Sequence, residues 1–335
     1  MSTRASAPAT APTVTQSLPA WLYTEPAFFE LERERLFRRT WQIVCPRGRH
    51  PRRRRLPGLR FPGREGAEPA RRRRRRAQLP QRLPSPRSRL ADGTSGNCGH
   101  RLVCPYHAWS YALDGALAAI PRWQGFEGAD TAELGLVSVE QEIWRGFVFV
   151  RLAGNGPSVA EMMSPYAAEL DAYAFETLQP RGKVVLRPRP VNWKNVGDNY
   201  ADGLHIPVAH PGLSRLFAGS YAVEAKPWVD KMSGRITETP SPNWCERSYQ
   251  ALLDGFDHLP PALRRTWNYY KLWPNLAFDV YPDQVDFMQM IPISATQTLI
   301  REIAYAWPDD RRETRAARYL NWADQSPRST PRTRC

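Results

Sequence analysis

Long apolar runs are absent from the 335-residue sequence, and no segment approaches the length that spans a bilayer. The N-terminal residues also lack the apolar stretch of a secretory signal. Cysteine is scarce, and the five residues are too few and too scattered for a disulfide scaffold: Cys45, Cys98, Cys104, Cys245 and Cys335. These absences argue against a membrane-spanning or disulfide-rich secreted protein, and they predict a cytoplasmic location.

Lysine is absent from residues 46–88, although this segment carries sixteen arginines and only two acids, Glu65 and Glu68. The segment therefore accounts for the whole formal net charge of +14, and the remaining sequence is neutral. Eight prolines and arginine runs of four and six residues argue against regular elements and a packed core there. In the chain as a whole, 42 % apolar and 11 % aromatic residues exclude wholesale disorder.

Periodicity outside the Arg-rich segment predicts an α+β protein, with a small β-rich region followed by a larger mixed domain. Residues 20–45 combine the pattern of an amphipathic helix with that of a short strand. Residues 158–178 are predicted to be helical, and residues 276–308 alternate like antiparallel strands. A terminal helix is predicted over 311–322, and the Pro, Ser and Arg residues of 323–335 are expected to end it.

The sequence CPYH at Cys104–His107 is the first pattern that carries chemistry. A thiolate and an imidazole separated by two residues can reach one iron or zinc ion from a tight turn. The alternative is a buried cysteine beside a structural histidine. The flanking residues His100, Trp109 and Tyr111 predict a hairpin with an aromatic flank, which favours the metal site.

The second pattern is Asp202-x-x-His205-x-x-x-x-His210. Two imidazoles and a carboxylate are the ligands that hold non-haem Fe(II) and leave positions open for dioxygen. On one ideal helix the two histidines would lie about 140° apart. Pro207 lies between them, and it predicts a break that turns both rings inward. The alternatives are capping or core histidines and, for Asp202, a simple acid on a helix surface.

Together these patterns resemble the large (alpha) subunit of the Rieske non-haem iron oxygenases, the aromatic-ring-hydroxylating dioxygenase family. CPYHAWSY is similar to the second half of the family's cluster signature, and NVGDNYADGLHIPVAHPGL to its iron motif. The resemblance implies a small all-β Rieske-type domain, damaged here, followed by a larger catalytic domain of antiparallel sheet and helices. The implied boundaries are 1–45 for an N-terminal helix and strand, 46–155 for the Rieske domain and 156–335 for the catalytic domain.

The resemblance also implies the cofactors and partners. Cys104 and His107 are two ligands of a [2Fe–2S] cluster, His205 and His210 bind a mononuclear Fe(II), and Asp202 is the bridge for electrons between them. Electrons come ultimately from NAD(P)H through a reductase and possibly a ferredoxin, and O2 is the co-substrate. A homotrimer or an alpha/beta hexamer is the implied assembly.

The sequence leaves the substrate open. The family implies oxygen insertion into an aromatic or other small organic molecule. The alternative is a monooxygenase of a quaternary ammonium compound of the choline or carnitine type, because Trp and Tyr residues can form a cage for such a cation. The Phe and Met residues of FDVYPDQVDFMQMIP fit an apolar pocket, although the core face of a strand is the more common place for them.

Two parts of the family pattern are missing. The family places a C-x-H pair well upstream of CPYH, and no cysteine lies between Cys45 and Cys98. The third iron ligand, a carboxylate after the last helix, has only Asp324 to supply it, in an unrelated sequence context. We therefore expect no Rieske absorption and no turnover from this polypeptide.

Our hypothesis for residues 46–88 is a one-base frameshift near codon 46 that is reversed near codon 88. With suitable codons, Leu79–Arg87 read one base later becomes FHNVCRHR, which contains C-x-H. Pro46–Pro51 becomes HVADIP, which is also similar to the family. We extend the frameshift hypothesis to residues 323–335.

A hypothesis of another class takes the arginines at face value. An Arg-rich, Pro-rich loop binds phosphates with steep salt dependence, so residues 46–88 could bind nucleic acid. The absence of lysine and the neutral remainder of the chain argue against a nucleic-acid partner.

Overall fold

The computed structural model describes residues 17–46, 55–61, 64–67, 79–80, 95–97, 99–128, 130–309 and 311–325. Near the N-terminus, α1 (Trp21–Thr24) and α2 (Pro26–Glu32) lead through a π-helical turn into strand β1 (Gln42–Pro46). The helix predicted here is divided because Glu25 has an extended backbone, and its side chain caps α2.

Three small antiparallel sheets make up the β-rich region, with the orders β1-β10-β9-β4, β3-β2-β5 and β6-β7-β8. Their further strands are β2 (Arg55–Phe61), β3 (Arg64–Ala67), β4 (Leu79–Pro80), β5 (Ser95–Asn97), β6 (Arg101–Val103), β7 (Ser110–Ala112), β8 (Leu117–Ala119), β9 (Ser138–Trp144) and β10 (Phe147–Arg151). Strands β2, β3 and β4 lie in the Arg-rich segment, for which the sequence predicts no regular element. Antiparallel pairing joins backbone groups, so it does not require the apolar pattern on which that prediction depends. Most other residues of the segment lie outside the described ranges. The frameshift and nucleic-acid hypotheses concern these residues, so both stay predictions.

A seven-stranded antiparallel sheet forms the centre of the second region, in the order β11-β17-β16-β15-β14-β13-β12. Its strands are β11 (Gln179–Arg189), β12 (Ala222–Ala225), β13 (Val229–Arg235), β14 (Thr266–Leu272), β15 (Leu276–Val280), β16 (Val285–Ser294) and β17 (Gln297–Ala306). The antiparallel strands predicted over 276–308 are confirmed by β15, β16 and β17. The predicted class, a β-rich region followed by an antiparallel sheet with helices, is also confirmed.

The two faces of this sheet pack against different partners. On one face, Phe278 and Phe287 contact Trp144 and Phe147 of the β9–β10 hairpin, with ring centroids 6.1 and 4.6 Å apart. The core-face interpretation of these phenylalanines is therefore confirmed. Side chains alternate along a strand, so Asp279, which follows Phe278, lies on the opposite face. That face carries a second apolar cluster and is covered by helices.

The helices after the first sheet are α3 (Val159–Met162), α4 (Ala167–Asp171), α5 (Trp193–Ala201), α6 (Ile206–Ala209), α7 (Pro211–Phe217), α8 (Trp244–Leu252) and α9 (Arg312–Gln325). The helix predicted over 158–178 is interrupted, because a 3-10 turn with a proline (Ser164–Tyr166) separates α3 from α4. Helix α9 continues to Gln325, three residues beyond its predicted end. Within the described ranges, none of the helices combines the length and the apolar character needed to cross a bilayer.

Candidate metal centre

The iron segment, Asp202 to His210, connects three helices. Helix α5 ends at Ala201, and Asp202 takes an extended backbone with ψ 126°. His205 directly precedes α6, and His210 lies between α6 and α7 with φ −127° and ψ 66°. The prediction that Pro207 breaks a helix is wrong: Pro207 lies in the first turn of α6, where its missing N–H costs no hydrogen bond. The chain turns at Asp202 and at His210 instead.

These two turns bring the histidine rings together. The ring centroids of His205 and His210 are 5.1 Å apart, with an interplanar angle of 71°. The pKa of His210 is lowered, first because surrounding protein atoms desolvate the ring and then because His205 is close. A lowered pKa favours neutral imidazole, which is the form that binds a metal ion.

Asp202 orients His205. Its Oδ2 lies 3.2 Å from Nδ1 of His205, and its Oδ1 accepts a 2.7 Å hydrogen bond from the backbone N–H of Leu204. The pKa of Asp202 is lowered, chiefly by the Leu204 N–H and then by His205, so the carboxylate is ionised at neutral pH. An anionic acceptor at Nδ1 assigns the proton to that nitrogen and leaves Nε2 of His205 available to a metal.

The third ligand expected at this site is a carboxylate, and no described residue supplies one beside the two histidines. Among the described residues, no group of three or more His, Cys, Asp or Glu side chains is arranged to hold a metal ion. Asp324 belongs to α9, but its side chain lies outside the described part of the chain. The structure therefore brings two imidazoles together, which is two of the three side chains that a facial triad requires.

The cluster hairpin, residues 101–112, carries Cys104 and His107 on the turn between β6 and β7. The backbone N–H of Cys104 donates to the carbonyl of Trp109 at 2.8 Å, and that of Ala108 donates to the carbonyl of Cys104 at 3.0 Å. Ala108 has φ 60°, which closes the turn tightly. Cys104 is buried with a free thiol, whereas His107 is exposed. The predicted hairpin with an aromatic flank is confirmed.

Tyr111 adds a feature to this hairpin that the sequence does not predict. Its side chain is fully buried, and its hydroxyl has no hydrogen-bond partner among the described residues. Burial, and then the charge of the nearby Cys104, raises the pKa of Tyr111 to about 12. A buried hydroxyl left unpaired beside a cysteine fits a site in which a further sulfur or thiolate acceptor is bound.

Two family models match the chain. The model for the ring hydroxylating alpha subunit (catalytic domain) matches residues 175–328, which include the iron segment and the seven-stranded sheet. The model for the Rieske [2Fe-2S] domain matches residues 86–131, which include the cluster hairpin. The chain belongs to the Rieske non-haem iron oxygenase large subunits.

Several curated relatives act on quaternary ammonium compounds, according to their names. The carnitine monooxygenase oxygenase subunit of Acinetobacter pittii is 30 % identical over 210 residues, which cover 61 % of this chain and 53 % of the relative. The chloroplastic choline monooxygenase of Beta vulgaris is 28 % identical over 290 residues, which cover 82 % of this chain and 59 % of the relative. The chain thus spans little more than half the length of these relatives.

Solved structures share the fold of this chain. A quaternary ammonium Rieske monooxygenase in complex with an inhibitor superposes with a TM-score of 0.72 at 20 % identity, covering 92 % of this chain and 80 % of the other. Naphthalene 1,2-dioxygenase from Rhodococcus sp. superposes with a TM-score of 0.67 at 17 % identity, covering 91 % and 76 %.

The described residues fit each implied cofactor in part. Cys104 and His107 are the types of side chain that half of a Rieske cluster site needs, and the Tyr111 hydroxyl beside them has no partner among the described residues. A C-x-H pattern, which was not predicted as part of the site, occurs at Cys98-Gly99-His100, with three residues, 101 to 103, before Cys104. Cys98 lies outside the described residues.

A group of tyrosines lies beside the iron segment and was not predicted as part of the site. Tyr200 at the end of α5 and Tyr221 before β12 each contact Tyr269 of β14, with ring centroids 6.5 and 6.4 Å apart. Their interplanar angles are 78° and 53°, and all three side chains are half-buried. We call Tyr200, Tyr221 and Tyr269 the tyrosine pocket.

Gly203 connects this pocket to the iron segment. A Cβ on Gly203 would lie 2.6 Å from Cε1 of Tyr221, so only glycine allows the ring to pack directly on this peptide. Gly203 follows Asp202 and lies two residues before His205. The sequence offers no spacing rule for this contact, because Tyr221 and Tyr269 reach it from other elements.

Proposed function

We propose that this protein is the terminal oxygenase subunit of a Rieske-type system that acts on a quaternary ammonium substrate. The observation that carries the proposal is the tyrosine pocket, which contacts the iron segment where Tyr221 packs on Gly203. A quaternary ammonium group has no N–H to donate, so aromatic ring faces are the groups that bind it best. Rings set at steep angles to one another can face such a cation from several sides.

The names of the relatives support the same substrate class. Carnitine, choline and glycine betaine monooxygenases are among the curated relatives, and all three named compounds carry a quaternary ammonium group. Oxygen insertion into an aromatic or other small organic molecule remains the broader prediction. Tyrosine rings beside a half-buried acid, Asp279, which accepts a hydrogen bond from Tyr200, suit a cation better than a neutral hydrocarbon.

His205 and His210 would hold the mononuclear iron, which supplies the activation of O2 when bound. Asp202 would keep His205 in the tautomer that presents Nε2, and the same carboxylate would serve as the bridge for electrons. Cys104 and His107 would provide two ligands of the [2Fe–2S] cluster. Electrons would reach the protein from NAD(P)H through a reductase and possibly a ferredoxin.

The assembly we propose is a trimer, alone or with a second type of subunit. Leu204 is 90 % exposed and Val208 is 88 % exposed, and both lie within the iron segment. Tyr106, beside His107, is 63 % exposed. Apolar side chains exposed at both metal-ligand segments support contact between copies of the chain. Charged substitutions at Leu204 and Val208 should lower the mass measured by light scattering, and an unchanged mass would contradict this assembly.

The domain division at 46–155 and 156–335 remains our proposal. We further propose that the chain as written is incomplete for catalysis. No residues are assigned to the C-x-H pair expected upstream of CPYH, and none is assigned to the carboxylate expected as the third iron ligand. Iron analysis and visible spectroscopy after anaerobic reconstitution should give no Rieske spectrum. An intact Rieske spectrum from the 335-residue chain would contradict this part of the proposal.

The substrate class can be tested on the chain as it is. Carnitine, choline and glycine betaine should bind in calorimetric titrations, whereas naphthalene should not shift the melting temperature. Tyr269→Ala should weaken binding of all three cations, while Tyr319→Ala, which removes an exposed tyrosine on α9, serves as the matched control. A preference for naphthalene would contradict the proposed substrate class.

A further inference from the structure

Asp279 lies on the middle strand of the seven-stranded sheet, on the face that α5 covers. Its register partners are Tyr269 on β14 and Asp286 on β16. The next residues in the strand, Phe278 and Val280, belong to the aromatic core on the other face. A carboxylate is therefore placed beneath the tyrosine pocket.

Both oxygens of Asp279 accept hydrogen bonds from tyrosines. The hydroxyl of Tyr200 donates to Oδ1, and that of Tyr281 donates to Oδ2 at 3.0 Å. Desolvation and the neighbouring acid raise the pKa of Tyr200 well above its ordinary value, so this hydroxyl keeps its proton. Hydroxyl groups hold the carboxylate in place, but they carry no positive charge to balance it.

No cation in the described part of the chain offsets this carboxylate. Burial is the largest influence on the pKa of Asp279 and raises it to about 6, and the side chains that also influence it are Tyr200, Tyr281 and the acid Glu302. With such a pKa the carboxylate is mostly ionised at neutral pH. An ionised carboxylate held away from water without a positive partner is costly, and a bound cation lowers that cost.

The carboxylate is linked to the iron segment through the pocket. Tyr200 holds Asp279 and contacts Tyr269, Tyr269 contacts Tyr221, and Tyr221 packs on Gly203. The negative charge therefore lies next to Tyr200, which donates to it, and Tyr269, its register partner on β14. A cation on the faces of those two rings would lie close to the carboxylate.

We propose that Asp279 is the specificity-determining residue that selects a positively charged substrate in the tyrosine pocket. This inference rests on the proposed function, because it takes the pocket to be the substrate site. Ring faces alone attract a cation and also accommodate a neutral molecule of the same shape. The charge of Asp279 adds attraction only for the cation, so it separates the two ligands.

The test compares choline with 3,3-dimethyl-1-butanol, its uncharged isostere, by calorimetric titration of the full chain at pH 7.5. The measured quantity is the ratio of the two dissociation constants, which cancels any inactive fraction of the sample. Wild type should favour choline, and Asp279→Asn should reduce that preference by about tenfold or more. Asp279→Glu, which restores the charge, should retain most of the preference.

Asp283→Asn is the matched control, because Asp283 is also a buried carboxylate but binds Tyr249 and Asn321 outside the pocket. Its ratio should equal that of wild type. Asp279→Ala is the second neutral variant and replaces Asp279→Asn if the amide does not fold. It should show the same loss of preference.

The outcomes separate the two proposals. If wild type does not prefer choline over the neutral isostere, the proposed quaternary ammonium substrate is contradicted, and the role of Asp279 is overturned with it. If wild type prefers choline and the neutral variants at position 279 retain the full preference, the role of Asp279 is overturned while the proposed function stands. If Asp283→Asn loses the preference for choline as well, the effect is a general one of buried charge, and the role of Asp279 is overturned.

Discussion

The cluster hairpin and the iron segment each bring two ligand-type side chains together, but they differ in what holds those side chains. In the iron segment, Asp202 binds Nδ1 of His205 within four residues of chain. In the cluster hairpin, the hydroxyl of Tyr111 is buried, and no described residue gives it a hydrogen-bond partner. The iron segment thus orients one of its histidines from within, whereas no such contact orients His107 among the described residues of the hairpin.

Removal of one iron-segment histidine should have the largest effect. His205→Ala should weaken binding of Co2+, used as a spectroscopic stand-in for Fe2+, by about 100-fold, because one of two neighbouring imidazoles is lost. The measurement is a visible titration of the purified chain. His258→Ala is the control, since this histidine packs on Phe256 and Trp307 away from the segment. Equal loss in both variants would contradict the assignment of the histidines.

Gly203→Ala should damage the iron segment through packing. The added Cβ would lie 2.6 Å from the ring of Tyr221, and such overpacking lowers the free energy of unfolding by about 2 kcal/mol. Urea denaturation measures the change. Gly255→Ala should have a small effect, because nothing lies within 4 Å of its added Cβ. Similar stability of both variants would show that Tyr221 does not need the close approach.

The pocket behind the iron segment should show a pH-dependent stability. The pKa of Asp279 is raised from 3.8 to about 6, so the folded chain binds this proton more tightly than the unfolded chain. Ionisation of Asp279 therefore lowers the free energy of unfolding as pH rises from about 4 to about 6. Across that range, the free energy of unfolding of Asp279→Asn should rise by about 2 kcal/mol relative to that of wild type.

Other titratable groups face Asp279 in the pocket, and the comparison with Asp279→Asn at each pH is designed to cancel their contributions. Tyr200 lies on α5, Tyr281 follows β15, Tyr269 lies on β14, and the acids Asp286 and Glu302 lie on β16 and β17. A difference between the two proteins that does not change between pH 4 and pH 7 would contradict the raised pKa.

Asp202→Asn should have a smaller effect, on metal affinity and not on folding. An amide no longer gives His205 an anionic acceptor, so Co2+ should bind about tenfold more weakly. The free energy of unfolding should change little, because Asp202 is partly exposed. A loss of stability with unchanged Co2+ affinity would make Asp202 a structural residue.

Tyr111→Phe should have the smallest effect, and it should stabilise the chain. The hydroxyl at this position is buried with no partner among the described residues, so its removal should raise the free energy of unfolding by about 1 kcal/mol. Denaturation of the metal-free protein is the measurement. Destabilisation would mean that the hydroxyl has a partner in solution and that the hairpin is complete without a cluster.

Local patterns in the sequence predicted the parts of the fold that depend on neighbours in the chain. Alternation over 276–308 identified three strands, and the spacing of Asp202, His205 and His210 identified a segment whose rings meet. The error at Pro207 came from treating the segment as one helix. Proline is well tolerated in the first turn of a new helix, so its presence does not locate the break.

The tyrosine pocket could not be predicted because its members come from distant elements. Tyr200 lies on α5, Tyr269 lies on β14, and Tyr221 precedes β12, so only the packing of helix and loop on the sheet brings them together. Asp279 gave one signal, as an acid between two buried apolar residues of a strand, which places it on the opposite face. Which helix covers that face is a matter of tertiary packing.

The most direct test asks whether the iron segment and the tyrosine pocket form one site. The purified chain is loaded with Co2+, and its visible spectrum is recorded while choline is added. Our account predicts that choline shifts the Co2+ bands in wild type and that Tyr269→Ala suppresses the shift. Choline binding that leaves the Co2+ spectrum unchanged would contradict the account, because the cation would then bind away from His205 and His210.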